Sequence, residues 1–191
     1  MKSFLIFLTL ISMCNSYSQD INQEPLPFYD LPEYPETYTA GTVAGRLVES
    51  LGFRYYWATE GLTEIDLAYK LNEDVRSTSE TIDHIYSLSF MIVNATLNQP
   101  NSKIEPEEVT FEEKRILTLL NLQTAANILK ESDDISQYKI IFGDKEIPFW
   151  NEINGPITDS IWHCGQISSF RRSSGNPLNP KVDHFNGKVK P

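Results

Sequence analysis

Cysteine is almost missing from this chain, with Cys14 and Cys164 the only two. A disulfide framework is thereby excluded, and if Cys14 leaves with an N-terminal segment, stability must come from packing alone. Basic residues are also scarce: 16 Lys and Arg face 26 Asp and Glu, for a formal net charge of −10. Such a balance repels phosphate backbones and argues against general nucleic-acid binding. Histidine occurs only at His84, His163 and His184, so imidazole chemistry has few candidates. The one long apolar run, Phe4 to Met13, falls short of the ~20 residues that span a bilayer, so no stable membrane span is expected. No G-x-S-x-G occurs, which leaves a Ser/His/Asp hydrolase without a nucleophile elbow. Internal repeats and low-complexity tracts are absent, and strand patterns nearly so.

What the chain does contain begins with the features of an export signal: Lys2, the apolar run, and the small residues of Ser16-Tyr17-Ser18. Residues 1–18 are therefore expected to be cleaved from an exported, periplasmic or secreted product. Cys14 offers a lipoprotein alternative, against which Met13 is larger than the small residue such sites favour. The remaining chain, about 170 residues, suits one domain with a sizeable core. Pro25, Pro27, Pro32 and Pro35 exclude helix from 19–38. That stretch reads as an extended arm whose Phe28, Tyr29, Tyr34 and Tyr38 pack on the domain surface.

Helical periodicity then dominates. From about 39 to 61, Val43, Leu47, Leu51, Tyr55 and Ala58 recur on one face, widened by Phe53, Tyr56 and Trp57. Residues 62–76 read as a polar loop able to crown a pocket. Ser77 and Glu80 form a capping-box signature for a helix to about Leu97, with Ile82, Ile85, Ser89, Ile92 and Val93 on one flank. Thr110 and Glu113 open a third helix through Ile116, Leu119, Leu120, Leu122, Ala125, Ala126 and Leu129. Tyr138 to Pro148 suggests a short hairpin-like excursion, after which Phe149 and Trp150 seal one end of the core. A fourth helix is bracketed by Pro156 and Gly175, with Arg171 and Arg172 as helix-end charges. The tail, 178–191, lacks periodicity, though His184 and Phe185 are placed to dock. Four long helices with little strand predict an all-α domain, a four-helix bundle over 39–177.

The chemistry concentrates in the last helix. Asp159 and His163 stand four residues apart, one turn above the other, and Gln166 and Phe170 continue that stripe. His84 lies on a mostly apolar helix, facing inward. Facing helices of a bundle can bring such side chains together, and two imidazoles with one carboxylate suit Zn, Ni, Mn or ferrous Fe. The same residues also read as an ordinary ion pair and hydrogen-bonded core histidines. Cys164 adjoins His163 but points about a hundred degrees away around the helix, as a small core residue.

The segment Trp162-His163-Cys164-Gly165-Gln166-Ile167, with Phe170-Arg171-Arg172 and Gly175-Asn176-Pro177, resembles the last-helix motif of the DinB-like (YfiT-like) metalloenzyme superfamily. Ser79 to Ile85 resembles that family's first-histidine segment, and Gly52 to Trp57 its first helix, so the likeness covers about 39–177. It implies a four-helix bundle of DinB type with a divalent metal held by His84, His163 and Asp159, the last standing where the family commonly has histidine. Gln166 is then an orienting neighbour of a ligand or bound water. The implied function is a metal-dependent hydrolase or thiol transferase acting on a small molecule, with a low-molecular-weight thiol as co-reactant, and with a homodimer as a compatible assembly. Tyr55, Tyr56, Trp57 and the 62–76 loop are expected to line the substrate end. The aspartate leaves a second expectation standing: a non-catalytic binding or stress-related bundle with a degenerate metal site.

Overall fold

A computed structural model describes residues 25–191. The expected export signal at 1–18, Cys14 included, and the start of the arm lie outside the described residues. The chain is mostly helical. In order come α1 (Ala40–Thr59), α2 (Glu64–Ala68), α3 (Thr78–Thr96), α4 (Phe111–Lys130), an antiparallel hairpin β1 (Lys139–Phe142) and β2 (Lys145–Pro148), α5 (Phe149–Glu152), a π-helical turn (Ile153–Ile157) and α6 (Thr158–Ser173). A second antiparallel pair, β3 (Val182–Asp183) and β4 (Lys188–Val189), closes the chain. Among the described residues no helix is long and apolar enough to cross a membrane.

Local chemistry sets the boundaries. Thr39, Thr63, Ser77 and Thr110 each cap a helix with a reciprocal capping box, their partners being Thr42, Asp66, Glu80 and Glu113. Gly143, at φ 56°, supplies the left-handed residue that the two-residue turn of the β1–β2 hairpin demands.

α1 and α3 each pack on both α4 and α6, so the four long helices share one core. At its centre Val48, Leu51, Phe53, Tyr55, Ile82, Ile85, Ile92, Leu119, Leu122, Leu129, Ile157 and Ile167 are buried. Each large aliphatic side chain there contributes about 1.5–3 kcal/mol. Exposed ion pairs such as Lys70–Glu73 are screened by water and add little. The core therefore decides the fold.

Several sequence expectations are corrected. Val43 is 56% exposed, because the first half of α1 buries Gly41, Ala44, Gly45 and Val48 instead. A Cβ on Gly41 would sit 2.3 Å from the Ser132 carbonyl oxygen, so small residues there allow α1 and α4 their close approach. Leu120 is also exposed on α4. The 62–76 stretch contains helix α2, which its Thr63–Asp66 capping box explains. Phe149 is buried as expected, but Trp150 is 78% exposed and seals nothing. In the arm, Phe28 fills the notch left by Gly52, and Tyr29 packs on Tyr56 and Trp57, whereas Tyr34 and Tyr38 stay largely exposed. The tail forms the β3–β4 ribbon, which binds back to the arm: Leu31 N–H donates to the Gly187 carbonyl at 2.8 Å, and Val189 N–H to Asp30 at 3.1 Å. His184 docks edge-on against Phe53, but Phe185 does not dock at all.

Candidate metal centre

The last helix starts earlier than its proline suggests. Phe149 to Glu152 is already helical, and Pro156 lies inside the run. A proline there lacks an N–H and its ring collides with the carbonyl four residues back. The π-turn relieves that clash, with Thr158 N–H reaching the Ile153 carbonyl five residues back and the Thr158 hydroxyl donating to the same oxygen at 2.5 Å. One residue more or fewer in this turn would rotate every later side chain by about 100°. The irregular turn thus sets the direction in which Asp159 and His163 point.

Along α6 the buried face runs Ile157, Ser160, Cys164, Ile167 and Arg171, while Asp159, His163 and Gln166 form the flanking stripe. That stripe meets His84 on α3, on the flank of the buried Ile82–Ile85 face. His84 Nε2 lies 2.9 Å from Asp159 Oδ2, and His163 Nε2 lies 3.6 Å from Asp159 Oδ1. The two imidazole rings meet edge to face, with centroids 5.0 Å apart. One nitrogen from each ring and one carboxylate oxygen all fall within 4.8 Å of one another. Ligand atoms around a tetrahedral ion with bonds of about 2.0–2.1 Å stand roughly 3.3 Å apart, so this donor set fits a divalent cation after small adjustments. His84, Asp159 and His163 are half-buried, with side-chain exposures of 30%, 39% and 17%. A cation among them would remain reachable from solvent.

Gln166 completes the group. Its Oε1 lies 2.9 Å from His163 Nδ1 and accepts that N–H, which leaves the lone pair on Nε2 facing Asp159 and His84. Behind His84, the buried Lys114 ammonium donates to Asp83 at 2.5 Å and pins the start of α3 to α4. The sequence reading missed this pair. An acidic residue beside an inward-facing histidine was the available signal.

Other expected participants lie elsewhere. Tyr55 and Trp57 are core residues, and the Trp57 indole N–H donates to the Tyr29 carbonyl at 3.0 Å. The depression of about 520 Å³ beside the cluster is lined by α6 alone, from Asp159 and Trp162 to Ser169. Cys164 is buried, and burial pushes its thiol up to about 12 despite the opposing pull of Arg54. It carries no thiolate near neutral pH.

Arg171 is not a simple helix-end charge. Its guanidinium is buried and donates to the Trp57 and Ala58 carbonyls at 3.0 and 3.1 Å, and to Asn176. α1 has no basic residue in its own last turn, so Arg171 from α6 and Arg115 from α4 satisfy that end. Beside it, Asp66 accepts from Thr63, Ser174 and Asn176. Burial acts to raise the Asp66 pKa, but these hydrogen bonds outweigh it and hold the carboxyl down at about 2.

Comparison of the chain with protein-family models, with curated proteins and with solved structures finds no match.

Proposed function

We propose that this is an exported protein of the DinB-like superfamily, a four-helix bundle in which His84, Asp159 and His163 hold a divalent metal for hydrolase or thiol-transferase chemistry on a small molecule. The observation that carries the reading is convergence: a side chain of α3 and two of α6, 75 residues apart in sequence, bring three donor atoms within 4.8 Å. Two imidazoles and a carboxylate favour Zn, Ni, Mn or ferrous Fe over Ca or Mg. In a site with open positions such a cation lowers the pKa of a bound water or thiol and so supplies a nucleophile near neutral pH.

The residues of the chain do the rest. Gln166 holds His163 in the tautomer whose Nε2 lone pair faces inward. Without a cation, His84 Nε2–H donates to Asp159; for Nε2 to offer its lone pair to a cation instead, the ring proton must sit on Nδ1. Elemental analysis of purified protein tests the reading. About one metal per chain in the native protein and little in His163→Ala supports it; no stoichiometric metal after reconstitution with Zn, Ni, Mn or Fe removes it.

One observation favours a second reading. The 2.9 Å hydrogen bond between His84 and Asp159 closes the cluster without any ion, so the trio also works as a clasp between α3 and α6 in a non-catalytic bundle. On that reading the native protein binds no metal tightly, and Asp159→His creates affinity where none existed.

A further inference from the structure

We propose that the cavity of about 710 Å³ between the N-terminal arm, α1 and the β3–β4 ribbon binds a small arylalkanoate, a single carboxylate carried on an aromatic body. Its volume falls within the ~300–1,000 Å³ of ordinary small-molecule sites. It shares no lining residue with the depression beside the metal cluster.

The walls are apolar and exposed. Tyr34 is 77% exposed, Tyr38 85%, Phe185 95% and Val43 56%, and all four line this one cavity. A cluster of exposed aromatic groups around a concavity is what a binding site for an aromatic body presents, whereas isolated exposed residues need no explanation. Val43, displaced from the core by the small residues of α1, is here part of a wall.

The charge of the lining opposes that of the chain. Arg46, Arg54 and Lys188 face Glu33, three positive groups against one negative, in a chain of net charge −10. The cations are not equivalent. Arg46 donates to the Pro32 and Glu33 carbonyls, pairs with Glu49 and lies over the Tyr34 ring. Lys188 pairs with Glu33 at 3.4 Å. Among the described residues Arg54 donates only to the Ser50 carbonyl, at 3.0 Å, and has no carboxylate partner. Most of its five N–H donors are thus uncommitted. His184 lines the same cavity, and its pKa is lowered by burial first and by Arg54 second, which keeps the ring neutral beside the guanidinium. One uncommitted guanidinium matches one carboxylate in bidentate fashion, while a dianion would meet the field of an acidic chain with a single free cation.

Isothermal titration with 3-phenylpropanoate, its uncharged amide and acetate tests the site. The acid should bind at one per chain, the amide about tenfold more weakly or worse, and acetate without measurable heat. Arg54→Gln should weaken the acid about tenfold while sparing the amide. Val43→Glu, an exposed wall position that the fold tolerates, should abolish binding of the acid, and His163→Ala should leave it unchanged. Absence of one-to-one binding by the acid overturns the proposal. So does equal affinity for acid and amide, full affinity in Val43→Glu, or loss of binding in His163→Ala.

Discussion

Two carboxylates mark the two ends of α6, and their surroundings differ in kind. Asp66 is buried, and Thr63, Ser174 and Asn176 fill its oxygens while Arg171 stitches the neighbouring carbonyls of α1. No acceptor there is left for a ligand. Asp159 is 39% exposed, with one oxygen hydrogen-bonded to His84 and the other 3.6 Å from His163. The first carboxylate is saturated by its own chain and holds the helices together. The second has unused capacity and open space beside it, which is what separates a candidate site from a structural joint.

The sharpest break of this comparison is Arg171→Ala. It strands the Trp57 and Ala58 carbonyls in the core and should cost about 3–5 kcal/mol in urea unfolding. His84→Ala, at a half-buried pair, should cost under about 1 kcal/mol. Equal losses from both would erase the distinction.

A third carboxyl extends it. Glu152 is fully buried and neither of its oxygens has a partner among the described residues; burial raises its pKa from 4.5 to about 8. The folded chain therefore keeps a proton that the unfolded chain releases above pH 4.5. Stability from this group is greatest below that pH and is lost as pH rises towards 8. Between pH 5 and 8 the native protein should lose on the order of 3 kcal/mol in urea unfolding, and Glu152→Gln should remove most of that slope.

Asp66 titrates in the opposite sense. Its folded pKa, about 2, lies below the ordinary 3.8, so its contribution is present above pH 4 and disappears as pH falls towards 2. Asp66→Asn should remove about 2 kcal/mol near neutral pH and flatten the acid limb. The smallest expected effect falls on Gln166→Ala, which frees the His163 ring. Metal affinity measured by competition with a chelator should drop about tenfold, with little change in unfolding.

Much of the scaffold is legible in the residues. The capping boxes at Ser77–Glu80 and Thr110–Glu113 start helices where expected, and the excursion before the last helix is a hairpin. The Asp159–His163 stripe is visible from spacing alone. His84 joins it only through packing of α3 on α6, which no local spacing encodes. Other features were hidden for the same reason. Arg171 looks like a helix-end charge until its neighbour α1 is in place. The tail looks aperiodic because its two short strands pair with each other and anchor on Leu31 and Asp30, far away in sequence.

By itself the sequence determined the helical character, the acidic surface and the three imidazoles available, because periodicity, capping and charge are properties of near neighbours along the chain. Only the tertiary structure decided which polar groups are saturated and which are left open, since that depends on partners brought from distant segments. The cavity beside Arg54 and the meeting of His84 with Asp159 are both of that second kind.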